Sequence, residues 1–229
     1  MAKSTPLTPA LSPQEGRGSV LVAGLDEVGR GCIAGPVYAA AVIFPPGRRI
    51  RGLDDSKKLT AEQREALVPR IKARAIAWAL GVATIEEIER INILRASLLA
   101  MQRAVEALAV KPASAQVDGV HAPALDCPVE AIVGGDGKVA AIMAASVLAK
   151  VARDAEMCRL DAEHPGYGFA QHKGYYTEEH QIALRRLGPC AIHRKLFLPV
   201  LQMELALTGS GEDEDSFYAS RLTPHASRP

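Results

Sequence analysis

The sequence predicts an α/β fold, a three-layer sandwich with a mixed central sheet flanked by helices on both faces. Three observations predict it. Two apolar runs near the N-terminus are joined by a link too short for a crossover, so they must pair antiparallel. After them, strand-like and helix-spaced segments alternate, the pattern of βαβ units that build a parallel sheet. Finally, 229 residues with 48% hydrophobic content suit one sizeable core rather than several.

The elements follow in order. Residues 19–25 (Ser-Val-Leu-Val-Ala-Gly-Leu) read as a buried strand that ends at the adjacent acids Asp26 and Glu27. Residues 37–44 form the second strand, stopped by Pro45-Pro46-Gly47. Thr60 with Gln63 makes a capping box that opens a helix to about Arg74. Residues 75–83 are a third strand, and Thr84 with Glu87 caps another helical region. Over residues 92–109, Ile93, Leu94, Leu98, Met101, Val105 and Leu108 have amphipathic helical spacing. Two short apolar runs, 115–117 and 129–133, each lead into an aspartate, Asp118 and Asp136. Residues 138–160 are a long Ala-rich helix suited to close packing on a sheet, and helices over 177–187 and 197–207 finish the core. Residues 1–18 and 208–229 read as disordered tails, the second carrying the acidic run from Glu212 to Asp215. A single domain over 19–207 remains, with strands 1–3 antiparallel and the rest parallel.

Composition narrows the function classes. A formal charge of +1 is not the basic signature of sequence-indifferent DNA binding, so any nucleic-acid affinity must come from local patches and bound metal. Cys32, Cys127, Cys158 and Cys190 form no C-x-x-C pair and sit near no histidine at zinc-finger spacing. Their scatter is no disulfide framework, and free thiols fit a reducing compartment. No stretch approaches about 18 consecutive apolar residues. The expectation is a cytoplasmic protein with no membrane association.

The chemistry-bearing feature is Asp26-Glu27-Val28-Gly29-Arg30-Gly31. Adjacent carboxylates at a strand exit oppose each other by repulsion and desolvation, an arrangement that a divalent cation compensates. The glycines let backbone approach a ligand closely and present bare N–H groups. In an open α/β sheet, strand ends share an edge where ligands bind, so three segments can bring Asp26, Glu27, Asp118 and Asp136 to one place. Four acids suit two hard cations about 4 Å apart, arranged for in-line displacement at phosphorus. The Asp26-Glu27 pair resists a plainer reading, because a cap needs only one acid, but the other acids have one. Asp118 and Asp136 could be turn formers or caps, Asp54-Asp55 is a solvated pair, and Asp154 is set for an ion pair with Lys150 on the helix surface.

Several segments together resemble the bacterial type 2 ribonuclease H family. They are residues 26–36 (Asp-Glu-Val-Gly-Arg-Gly-Cys-Ile-Ala-Gly-Pro), 54–60 (Asp-Asp-Ser-Lys-Lys-Leu-Thr) and 90–94 (Arg-Ile-Asn-Ile-Leu). Further on are 144–151 (Ala-Ala-Ser-Val-Leu-Ala-Lys-Val), Tyr167-Gly168-Phe169, and His172-Lys173-Gly174-Tyr175. The likeness runs in order from about Val22 to Val200. It implies a ribonuclease H-like fold and a metal-dependent endonuclease with two Mg²⁺ or Mn²⁺ ions on Asp26, Glu27, Asp118 and Asp136.

The same resemblance implies that Gly29, Arg30 and Gly31 touch the 2′-hydroxyl of a ribonucleotide at an RNA–DNA junction and that Tyr175 packs on the adjoining deoxyribose. Such backbone reading of the 2′-OH is independent of base sequence. Lys57, Lys58, His172 and Lys173 are candidate phosphate contacts, against the alternative of solvated loop residues. The implied reaction is hydrolysis on the 5′ side of a ribonucleotide, in RNA–DNA hybrids or in duplex DNA containing ribonucleotides, leaving 3′-hydroxyl and 5′-phosphate ends. The implied role is removal of misincorporated ribonucleotides and RNA primers, by a monomer.

Departures from the family pattern are Gly134 in place of a common lysine, Leu196 in place of a serine, and Cys32 in place of a proline. The alternative is a non-catalytic nucleic-acid-binding or clamp-associated protein on the same fold. The fragment from Gln202 to Leu207 resembles sliding-clamp-docking peptides, but a C-terminal amphipathic helix packed on the core is the favoured reading of it. A pure phosphate binder, however, would gain by losing four negative charges.

Overall fold

The computed structural model describes residues 20–48 and 50–208. The proposed N-terminal tail lies outside the described residues, as does the C-terminal one beyond Thr208. The strands are β1 (Val22–Val28), β2 (Val37–Ile43), β3 (Ala77–Ala83), β4 (Ser114–Asp118) and β5 (Val129–Ile132). The α-helices are α1 (Ala61–Arg74), α2 (Ile85–Glu106), α3 (Ala140–Glu163), α4 (Phe169–His172), α5 (Glu178–Leu187) and α6 (Leu198–Thr208).

The strands lie in the order β3-β2-β1-β4-β5. β1 pairs antiparallel with β2, and β2 with β3. β4 runs parallel to β1, and β5 parallel to β4. This is the mixed sheet expected, because a short link permits only a hairpin while α2 and its flanks provide the crossover that parallel strands need.

Alternation along the strands divides the core between the two faces of the sheet. On one face Ala23 and Leu25 pack with Ala96, Ala100 and Ala104 of α2. On the other, Ala40 and Val42 pack with Ala144, Ala145 and Leu148 of α3 and with Leu67 and Ile71 of α1. Small residues make these layers approach closely. A Cβ on Gly24 would lie 2.3 Å from the Ala141 carbonyl carbon, and one on Gly81 only 2.0 Å from the Ala100 carbonyl oxygen. Those contacts explain how a chain with 4% aromatics still fills its core.

Both capping boxes form. Thr60 Oγ1 accepts from Gln63 N, and the Gln63 side chain accepts from Thr60 N; Thr84 and Glu87 repeat the arrangement. Three boundaries differ from expectation. β1 continues through Asp26 and Glu27 to Val28, because the ladder extends to Val28 opposite Tyr38. The two helical regions predicted after β3 fuse into α2 across a kink at Asn92 (φ 67°, ψ 166°), whose Oδ1 accepts from Arg95 N and caps the second half. The short helix α4 was not predicted; it begins at Gly168 in the left-handed region and ends at Lys173, also left-handed.

At the C-terminal end, Val200 of α6 packs with Ile33 and Leu184, with Met203 beside them. The segment from Gln202 to Leu207 is thus helical and continuous with a packed element, as the core-packing alternative requires. Among the described residues no helix is long and apolar enough to cross a membrane.

Candidate active site

Neighbouring strand ends assemble the acids. In the β1–β4 ladder Leu25 lies opposite Val117, so Asp118, the next residue and the last of β4, ends beside Asp26. Asp118 in turn lies opposite Ile132 at the end of β5, and the turn that follows carries Asp136. Asp118 Oδ1 accepts from Gly135 N at 2.7 Å and from Asp136 N at 3.4 Å. Asp118 therefore locks the turn as well as facing the cleft, so the turn-forming and the functional readings of these two aspartates coexist.

Asp26 and Glu27 lie within β1 rather than at its exit. Consecutive strand residues face opposite sides of the sheet. Asp26 lies by Ser146 of α3, and Glu27 borders a recess with Leu94, Leu98 and Met101 of α2. They meet at the rim of an open cleft of about 450 Å³, which Asp118 also lines.

Burial dominates the electrostatics. Asp26 is 6% exposed, and desolvation raises its pKa well above the usual carboxylate value, with the Glu27 and Asp118 charges adding to the rise and Ser146 opposing it. Glu27 is also raised by desolvation, against which the Arg30 guanidinium, 3.2 Å from its Oε1, works. Lys57 Nζ donates to Asp136 Oδ2 at 2.9 Å, which raises the lysine pKa. Protein cations thus touch two of the four acids.

Gly29, Arg30, Gly31, Lys57 and Tyr175 all border the same cleft. Tyr175 is 40% exposed, and its carbonyl accepts from His180 Nδ1 at 2.8 Å. Three other candidates sit elsewhere. Lys58 Nζ is engaged by Asp54 at 3.3 Å in the exposed loop. His172 is a correction: it is buried, not an exposed loop histidine, because its Nε2 bonds the Tyr167 carbonyl and its Nδ1 accepts from Gly174 N. Both ring nitrogens are therefore committed inside the protein. Lys173 Nζ turns to the Ala170 carbonyl and Cys158 Sγ at 3.0 Å, bordering an adjacent groove with Arg64 and Asp154.

The structure adds residues to the cleft that the sequence did not mark as part of a site. Ser146 and Ser56 share a 2.7 Å hydrogen bond on the cleft floor. Arg64 and Lys150 line the cleft wall, both near Asp154, at 4.0 and 2.8 Å. The predicted Lys150–Asp154 pair forms, but with both side chains only 19% exposed. Fully buried Arg153 and Arg194 bind the backbone that carries Gly29 to Gly31.

Among the described residues no three His, Cys, Asp or Glu side chains form a ready-made metal cage. The donor set nevertheless suits a hard divalent cation. It is all carboxylate oxygen, it opens on solvent, and Asp26 is buried among like charges that a cation would relieve.

The family model described as Ribonuclease HII matches residues 23–200. The chain is similar to the ribonuclease HII of Laribacter hongkongensis (59% identical over 181 residues, 78% of this chain and 91% of that protein). It is equally similar to that of Nitrosococcus oceani (59% over 179 residues, 78% and 89%). Among solved structures, its fold resembles ribonuclease H2 from Pyrococcus horikoshii (TM-score 0.69, 24% identity, 83% of this chain and 100% of that one). It also resembles the ribonuclease HII of Archaeoglobus fulgidus solved in complex with PCNA (0.64, 24%, 86% and 100%). A third likeness is to Bst-RNase HIII in complex with Mn²⁺ (0.61, 18%, 84% and 72%). A match over this span, with relatives at this identity, means that the chain belongs to the ribonuclease HII family and is a ribonuclease H-type endonuclease.

Proposed function

We propose that this enzyme hydrolyses the phosphodiester on the 5′ side of a ribonucleotide, in RNA–DNA hybrids and in duplex DNA with embedded ribonucleotides, leaving 3′-hydroxyl and 5′-phosphate ends. One observation carries the reading. Asp26, Glu27 and Asp118 line the cleft that Gly29, Arg30, Gly31 and Tyr175 also border, and Asp136 meets it through Lys57.

Asp26, Glu27, Asp118 and Asp136 would hold two divalent cations, Mn²⁺ or Mg²⁺; the Mn²⁺ complex of the related Bst-RNase HIII supports a divalent requirement. Bound there, such ions supply an activated water and charge compensation at the leaving oxygen. The chain's own residues do the rest. The backbone of Gly29, Arg30 and Gly31 contacts the ribose 2′-hydroxyl, which separates RNA from DNA without reading a base. The Tyr175 ring packs on the next sugar. Lys57, more than three-quarters exposed at its side chain, reaches from Asp136 toward the substrate backbone as a phosphate contact.

The biological role is removal of ribonucleotides from DNA and of RNA primers, in the cytoplasm, by a monomer whose domain spans residues 19–207. The PCNA complex of the Archaeoglobus fulgidus protein keeps a weak clamp contact through Gln202 to Leu207 within the proposal. The test is a labelled hybrid duplex incubated with Mn²⁺, Mg²⁺ or EDTA. Cleavage with either ion and none with EDTA is expected; cleavage undiminished by EDTA would refute the metal reading.

A further inference from the structure

Two guanidiniums lie under the Gly29–Pro36 loop, and neither pairs with a carboxylate among the described residues. Arg194 donates to the carbonyls of Gly29 (2.7 Å), Arg30 (3.1 Å), Cys32 (2.6 Å) and Gly35 (2.9 and 2.8 Å). Arg153 donates to Ala34 (3.1 Å) and Pro36 (3.0 Å) of the same loop. Its remaining Nη1 donates to the Lys173 carbonyl at 2.8 Å, in the segment that leads to Tyr175. Both side chains are fully buried, so every carbonyl they bind is turned into the protein.

Peptide geometry converts that into a recognition device. In a trans peptide the C=O of one residue and the N–H of the next point in opposite directions, and the described residues contain no cis peptide. Drawing in the Gly29 and Arg30 carbonyls turns the N–H groups of Arg30 and Gly31 outward, on the stretch that borders the cleft. Burial lowers the Arg194 pKa only to about 10, so the guanidinium stays charged at neutral pH and favours an electronegative ligand above the loop.

We propose that Arg153 is a positioning residue that fixes the separation between the 2′-hydroxyl-reading turn and Tyr175, and so sets the preference for a ribonucleotide followed by a deoxyribonucleotide. Arg194 fixes the orientation of the turn itself. The inference rests on the junction reading proposed above. One planar group holds both halves of the reader, and a direct bond reinforces it: Ile33 N donates to the Gly174 carbonyl at 2.9 Å. Lysine can supply the charge at position 153 but not three directed bonds in one plane.

The experiment compares kcat/KM of the full chain on two substrates, a DNA duplex with one ribonucleotide and a hybrid with a continuous RNA strand. Wild type is compared with Arg153→Lys, and thermal melting reports the fold. The ratio of the two values is expected to fall on the order of 10- to 100-fold in folded Arg153→Lys, as misplacement by about an ångström does. Equal losses on both substrates, or none, would reduce Arg153 to a structural tie and overturn the inference.

Should Arg153→Lys not fold, Gly174→Ala decides. Its Cβ would lie 2.5 Å from the Ala34 carbonyl oxygen at φ +83°, wedging the same two segments apart with Arg153 intact. The same fall in the ratio is expected, and an unchanged ratio overturns the proposal. A wild-type enzyme without preference for the single-ribonucleotide duplex would instead refute the junction reading itself.

Discussion

Lys57 Nζ stands 2.9 Å from Asp136 Oδ2, so the loop between β2 and α1 supplies a cation to the acid that the turn after β5 presents. That ammonium competes with any divalent ion for Asp136 and, exposed at the cleft, is also available to a substrate phosphate. Lys57→Ala is therefore expected to lower the half-saturating Mn²⁺ concentration by a factor of about 2 to 5, the range of an exposed ion pair, while raising KM for the duplex. Metal titrations at fixed substrate check this; an unchanged metal midpoint would show that the pair is broken in the working enzyme.

Charging Asp26 costs folding free energy, since burial and the Glu27 and Asp118 charges all raise its pKa. Asp26→Asn removes the charge and keeps the shape. Activity is expected to fall by more than about 100-fold, while the melting temperature in EDTA rises by roughly 2–4 °C, as about 1 kcal/mol gives in a domain of this size. Differential scanning calorimetry beside a cleavage assay measures both, and a lower melting temperature would contradict the electrostatic account.

Acid should unfold the protein through a histidine pair. His180 Nδ1 donates to the Tyr175 carbonyl, so its Nε2 accepts from His193 Nε2 at 3.0 Å, and His193 Nδ1 accepts from Cys190 N. Burial lowers both pKa values to about 4. Between about pH 6.5 and 4 the unfolded chain binds protons that the native state refuses, so stability falls as pH falls through that window. Urea unfolding at several pH values is expected to show uptake of up to about two protons on unfolding. His193→Gln should reduce this uptake, and an unaltered slope would exclude the pair.

Gly24 sets how closely α3 rests on β1. Its Cβ in Gly24→Ala would overlap the Ala141 and Ile142 backbone, at 2.3 and 2.4 Å. The expected cost is about 1–3 kcal/mol, read as a lower urea midpoint, with activity reduced because Ser146 rides on the same helix beneath Asp26.

How much of this was legible in the sequence depended on range. The capping boxes at Thr60 and Thr84, the hairpin and the two aspartates after short strands are local patterns, and they form where expected. Continuation of β1 through Asp26 and Glu27 was not legible, because the pairing of Val28 with Tyr38 needs the partner strand. Nor was burial of His172, Arg153 and Arg194. Arg194 finds its acceptors about 160 positions away, and the partners of His172, though local, are set by the unpredicted turn of α4. The convergence of the acids was therefore readable, while the buried arginines beneath the Gly29–Gly31 turn became visible only in three dimensions.

The central claim is that the carboxylates cut where the turn finds a 2′-hydroxyl. The most direct measurement maps, at nucleotide resolution, the nick made in a DNA duplex carrying one ribonucleotide, with an all-deoxy duplex as control and Asp26→Asn beside wild type. The account predicts one metal-dependent nick immediately 5′ of the ribonucleotide, absent from both controls. Cleavage at other positions, or of the all-deoxy duplex, would contradict it.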